Sequence, residues 1–243
     1  QSFWNYASFS IDLLGKLAYN NIDLTGKRAD KQEERKLTKL LELDTQRRDA
    51  ILNAALKEFS LRGYDNASTN VIAKEAGISK ALMFHYVSSK QDLFLAVYDY
   101  FSDVMEKEYF GLMNYAEKDI FNKLHQSYVL QIELLKKYPW ITEFSKLSSV
   151  TNSEEINREL KNRKVHSSCY PQLFDEIDIT LFRKGLNIEI CKQFILWANI
   201  GFTNQLLDEI RNSEKNANFD ILIKRLDKYF DELRKIFYGH GNE

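Results

Sequence analysis

Residues 51–94 read ILNAALKEFSLRGYDNASTNVIAKEAGISKALMFHYVSSKQDLF and hold three helical segments separated by two short breaks. Ile51, Ala55 and Phe59 recur at i, i+4 and i+8 with Leu52 and Leu56 beside them, so an amphipathic helix is expected over 45–62. Gly63 follows where a left-handed residue would close it. Ser68 or Thr69 can cap a second helix with Ile72, Ala73 and Ala76 on its buried side. Gly77 breaks that helix, and Ser79 caps a third, short one running to about Tyr86. Helix, short helix, Gly-containing turn and short helix is a helix-turn-helix layout, in which the last helix enters the major groove of DNA.

Helical spacing continues outward from this stretch. Leu93, Val97, Tyr100, Phe101, Val104 and Met105 form one stripe, and Ile120, Leu124, Tyr128, Ile132 and Leu135 form another that ends near Pro139. A helix is expected from Pro139 to about Val150, and Ser153 can cap a polar helix, SEEINRELKNRK. Two long helices are expected over 188–211 and 218–238, with Asn218 or Asp220 as start signals and Gly239 as a stop. Composition agrees: only 2 of 243 residues are proline and 9 are glycine, where average usage gives about 12 and about 17. Turns are made largely with these two residues, so an all-β fold is excluded and the expected class is all-α.

Charge is uneven along the chain. Residues 45–91 carry 7 Lys+Arg against 4 Asp+Glu, while 92–243 carry 20 against 24 and 1–44 carry 7 against 7. A small basic module on a slightly acidic body is expected to meet a polyanion through the module alone. Residues 1–44 are an N-terminal extension of uncertain order, rich in aromatics (Phe3, Trp4, Tyr6, Phe9, Tyr19) before a polar stretch. No basic segment leads into an apolar one there, so no secretory signal is visible. The near-apolar run Phe194 to Phe202 is too short to span a bilayer. Cys169 and Cys191 lack metal or redox spacing, and His85, His125, His166 and His240 are scattered, so the expectation is a cytoplasmic chain without metal or cofactor. No catalytic triad pattern or phosphate-binding Gly-rich loop occurs, which argues against an enzyme.

The run Gly63-Tyr64, Thr69, Ile72-Ala73, Ala76-Gly77-Ile78-Ser79-Lys80, Met83, Phe84, Tyr86, Ser89-Lys90 and Leu93-Phe94 resembles, without gaps, the N-terminal domain of the TetR family of transcriptional regulators. The resemblance implies an N-terminal three-helix DNA-binding domain, 45–91, followed by a larger helical ligand-binding and dimerisation domain, 92–243. Within the first, Thr69 can hold a phosphate at the start of its helix. Lys80, Ala81 and Leu82 occupy the first turn of the recognition helix after Ser79, where side chains reach base edges. His85 lies one turn on, Tyr86 can donate its phenol to the backbone, and Asn70 matches a family position that sometimes contacts a base. Lys90 is placed on the phosphate backbone, and Arg48, with Arg47, can add sequence-independent charge. Phe84 stands where the family usually has tyrosine, which removes a phosphate hydrogen bond and favours packing. Leu82 stands where threonine is common, so it can touch a thymine methyl but reads no hydrogen bond.

For the larger domain the resemblance implies a homodimer formed through the last two long helices. It also implies a cavity for a small effector. Ile188, Cys191, Ile195, Ala198, Phe202 and Leu206 mark one candidate dimer stripe, and Leu222, Leu226, Tyr229, Phe230 and Leu233 the other. Met105, Tyr109, Tyr128, Trp140, Phe144 and Trp197 are the candidate ligand contacts, suited to an apolar or aromatic molecule. The leading expectation is a repressor released from a palindromic operator by that effector. The alternative is a DNA-binding protein of the same fold with an architectural or protein-partner role and no small ligand.

Overall fold

A computed structural model describes residues 39–142, 144, 151–163, 173–212 and 217–239. Expectations for residues 1–38, for 145–150, and for His166, Cys169 and His240 lie outside these. The described chain is all-α, with no strand among the described residues and one isolated antiparallel bridge, Phe182 to Tyr238. Its longer helices are α1 (Thr45–Asn66), α2 (Thr69–Glu75), α3 (Lys80–Tyr86), α4 (Lys90–Glu108), α5 (Ile120–Lys137), α6 (Glu154–Asn162), α7 (Ile188–Asn212) and α8 (Phe219–Phe237). Among the candidate caps, Asn218 starts α8 by accepting from the Ile221 amide at 3.2 Å. Ser153 starts α6 by accepting from the Ile156 amide at 3.3 Å.

Contacts divide the chain into two compact units. Among the described residues, the first takes 39–106 and those between 140 and 163, and the second takes 107–139, 173–212 and 217–239. The first unit is built on α1, whose Ile51, Leu52, Ala55, Leu56 and Phe59 are all buried, as their spacing predicts. Phe59 meets Phe94 of α4 edge-on at 5.0 Å, and Phe94 meets Phe144 at 5.5 Å. Leu93, Val97 and Phe101 of α4 are buried in the same unit, so its core extends well beyond the three helices of the DNA-binding motif. Each such side chain contributes about 1.5–3 kcal/mol of hydrophobic burial. Arg163, just after α6, bonds Asp99 of α4 at 2.8 Å and ties the later segment down.

In the second unit α5 buries Ile120, Leu124, Tyr128, Ile132 and Leu135. Phe230 of α8 meets the Phe121 and Tyr128 rings of α5, Phe202 of α7 meets Tyr128, and Leu222, Leu226, Phe230 and Leu233 of α8 and Cys191, Ile195 and Leu206 of α7 are buried. Of the two candidate dimer stripes, these seven residues are buried within the single chain, while Ile188, Ala198, Phe202 and Tyr229 are half-buried. Helical spacing marks an apolar face but does not say which neighbour covers it. Asp119 joins the ends of α5 and α8: its carboxylate accepts from the Phe121 amide at 2.8 Å and from the Tyr238 hydroxyl at 3.0 Å, and pairs with Arg234.

Candidate nucleic-acid interface

The turn between α2 and α3 is set by Gly77, whose φ of 71° suits a residue without Cβ. The Ile78 amide donates to the Ala73 carbonyl at 3.0 Å and the Gly77 amide to the Lys74 carbonyl at 3.1 Å, which closes α2 with a paired C-terminal cap. Ser79 then starts α3, its Oγ accepting from the Leu82 amide at 3.1 Å. At the other end of α2, Ser68 occupies the N-cap position but its hydroxyl makes no capping bond. Instead the Ser68 amide donates to Oε1 of Glu58, a buried carboxylate of α1, at 2.9 Å. Sequence reasoning passed over Glu58. The available signal was a lone charge on the apolar side of α1, beside Ala54, Ala55 and Phe59.

These caps give α3 two sides. Met83 and Tyr86 are buried, and Tyr86 meets the His85 ring at 5.6 Å. Ser79, Lys80, Ala81, Leu82 and His85 are exposed together, with Leu82 at 36%. Phe84 is half-buried, with the Lys80 ammonium 5.9 Å from its ring. On α2, Asn70 is exposed and Thr69 half-buried at the first position. An exposed helix face with a lysine, a histidine, a small residue and a leucine has the donors and the methyl-contacting groups that base edges in a major groove require.

Three of the expected contacts are placed differently. Nε of Arg48 bonds Asp49 at 3.1 Å and its guanidinium lies 5.8 Å from the centre of the Tyr100 ring, so its charge is held within its own unit. Tyr86 is buried. Nζ of Lys90 donates to the carbonyls of Asp65 at 3.0 Å and Ala67 at 3.3 Å and sits 4.9 Å from the Tyr64 ring centre.

The candidate ligand contacts fall in both units. Met105, Trp140 and Phe144 belong to the first, where Phe144 is buried and packed on Phe94 and Phe101. Tyr109, Tyr128 and Trp197 belong to the second. Tyr109 is fully buried and shares a hydrogen bond of 2.7 Å with Ser127. The Tyr128 hydroxyl donates to the Asn199 carbonyl at 2.8 Å and lies 2.7 Å from Thr203 Oγ1. Trp197 is 50% exposed, so within this chain it is a surface residue. Phe202 of α7 and Tyr229 of α8 stack at 4.4 Å beside Tyr128 and Phe230, and burial pushes the Tyr229 phenol well above its ordinary range. Asn199 Oδ1 and Tyr229 Oη are buried without a hydrogen-bond partner among the described residues.

Comparison with known proteins places this geometry. Residues 51–102 match the family model for bacterial regulatory proteins of the tetR family. The chain is 29% identical over 108 residues to an uncharacterized HTH-type transcriptional regulator, YuxN, of Bacillus subtilis, covering 44% of this chain and 37% of that protein. It is 47% identical over 49 residues to the HTH-type transcriptional regulator BetI of Agrobacterium fabrum, covering 20% of this chain and 24% of that protein. The chain thus spans well under half the length of these curated relatives. Among solved structures, a TetR family transcription regulator from Marinobacter aquaeolei matches with a TM-score of 0.46 and 18% identity over 80% of this chain and 97% of that one.

Proposed function

We propose, from the membership of residues 51–102 in the tetR family of bacterial regulatory proteins, that this chain is a DNA-binding transcriptional regulator acting as a homodimer. It reads a two-half-site operator and is released from it by a small apolar or aromatic effector. The observation that carries this reading is the exposed face of α3, Ser79 to Leu82 with His85, held by caps at both ends of the turn. Thr69 and Asn70 at the start of α2 supply the neighbouring backbone and base contacts.

Dimerisation is supported by a face of α7 opposite its buried stripe. Ile190, Phe194 and Trp197 recur at i, i+4 and i+7 and are 49%, 52% and 50% exposed, with exposed Gly201 one turn further on. A contiguous exposed apolar stripe of this kind marks an interaction surface. The effector reading is supported by Asn199 Oδ1 and Tyr229 Oη, which have no partner among the described residues, beside the Tyr128, Phe202 and Phe230 rings. Each unpaired buried polar atom costs about 1–3 kcal/mol, which a ligand carrying a donor would offset.

One helix-turn-helix covers only a few base pairs, so useful specificity needs two half-sites about one helical turn or a multiple of it apart. The test is selection of bound duplexes from a random DNA pool, followed by sedimentation of the labelled product. Two chains on a near-palindromic duplex are expected, with affinity falling steeply as salt rises. A single chain on a single half-site would overturn the dimer model.

A further inference from the structure

We propose that Lys90 is a positioning residue, clamping the segment between α1 and α2 to the first turn of α4 so that the start of α2 moves with α4. Gly63, with φ of 69°, interrupts α1 a turn before its end. The chain then runs through Tyr64 to Ala67, whose amide returns to the Gly63 carbonyl at 3.2 Å. The carbonyls of Asp65 and Ala67 are left facing away from the helix ladder, and carbonyls at a helix C-terminus carry partial negative charge. Lys90, the first residue of α4, brings one ammonium to both of them and to the face of Tyr64. An ammonium has three donors and no acceptor, so these contacts use most of what it offers.

The same segment is gripped from its other side by Glu58 through the Ser68 amide. Residues 65–68 are thus held between a cation on α4 and a carboxylate on α1, immediately before Thr69 and Asn70. The start of α4 is itself fixed: Ser89 Oγ accepts from the Asp92 amide at 3.0 Å, and Leu93, Phe94 and Val97 are buried. A rigid helix start tied to a short loop transmits displacement to the next helix. With two of its three N–H donors on the carbonyls, the ammonium is held chiefly by the protein and keeps one N–H for any other contact. The clamp thus predicts that DNA binding depends on Lys90 through geometry rather than through charge neutralised.

The experiment compares the full-length chain with Lys90→Met and Lys90→Arg. Affinity is measured for a duplex selected by the unmodified protein, as a function of KCl concentration. Hydrogen exchange of peptides covering 65–73 is followed without DNA. Lys90→Met should weaken binding about tenfold with the salt slope unchanged and quicken exchange over 65–73. Lys90→Arg, whose fork can reach both carbonyls, should restore both. A slope lowered by about one marks a phosphate contact and overturns the clamp. Unchanged affinity or unchanged exchange overturns it equally. Lys90→Gln replaces Lys90→Met if the latter does not fold, and is read by the same criteria. This inference rests on the DNA-binding reading; if the unmodified protein selects no duplex, that reading fails while the exchange arm still decides whether Lys90 holds the loop.

Discussion

At the scale of single residues, Lys80 and Gly77 do different work within one turn. Lys80 is exposed beside the α3 N-cap, and under the proposed function it donates to guanine O6 and N7. Lys80→Ala should cost about 1–3 kcal/mol on the preferred duplex and flatten preference at one position per half-site. Binding to that duplex, to single-base variants and to random DNA checks this, and an equal loss on all three would assign Lys80 to the backbone. At Gly77 a Cβ would meet nothing within 4 Å, so Gly77→Ala should lose about 1–2 kcal/mol through the positive φ alone, read by chemical denaturation. A loss well above that would mean the turn rearranges. Lys123 is fully buried, its ammonium donating to the Asp175 carbonyl at 3.0 Å, and burial lowers its pKa from the ordinary value. With a folded pKa below the unfolded one, the charged form opposes folding at neutral pH, and this cost fades as pH rises through the folded pKa toward the unfolded value. The melting temperature of Lys123→Met relative to the unmodified chain should therefore fall as pH rises into that range. A difference independent of pH would sink this account.

At the scale of elements, α7 carries two apolar faces with different fates. One, through Cys191, Ile195 and Leu206, is covered by its own chain; the other, through Ile190, Phe194 and Trp197, is open. If the open face is the dimer surface, Trp197→Lys should shift the chain from dimer to monomer in sedimentation equilibrium, since removing a central aromatic typically costs about 2–4 kcal/mol. Thermal stability should change little, because Trp197 is half exposed in the single chain. A variant that stays dimeric would move the interface elsewhere.

At the scale of the whole molecule, α4 begins at Lys90 in the first unit and its last two residues, 107 and 108, belong to the second; under the proposed function this helix links DNA and effector. Coupling between two sites is reciprocal and typically amounts to about 1–3 kcal/mol. An aromatic compound that binds should therefore weaken operator affinity about five- to 150-fold, and operator DNA should weaken the compound equally. Tryptophan fluorescence and DNA titration over an aromatic compound library measure the two arms. If no compound shifts both, the role is architectural or lies with a protein partner.

The sequence alone determined the helical class, the caps at Ser79 and Ser153, the buried stripes of α1, α5 and α8, and the helix-turn-helix itself, while the start of α8 was narrowed to Asn218 or Asp220. Each is encoded in local order: spacing at i, i+4, a hydroxyl or amide before a helix, a glycine where φ is positive. Only the tertiary structure decided that Glu58 receives the Ser68 amide and that Arg48 turns to Asp49 and Tyr100. It decided likewise that Lys90 reaches back to Asp65 and Ala67, and that Phe230 of α8 and Phe202 of α7 pack on Tyr128 of α5. A charge in a sequence carries no mark of its partner, and an apolar face carries no mark of what will cover it. Both are settled by how the chain packs, which brings Lys90 to Asp65 and Arg48 to Tyr100 across many positions.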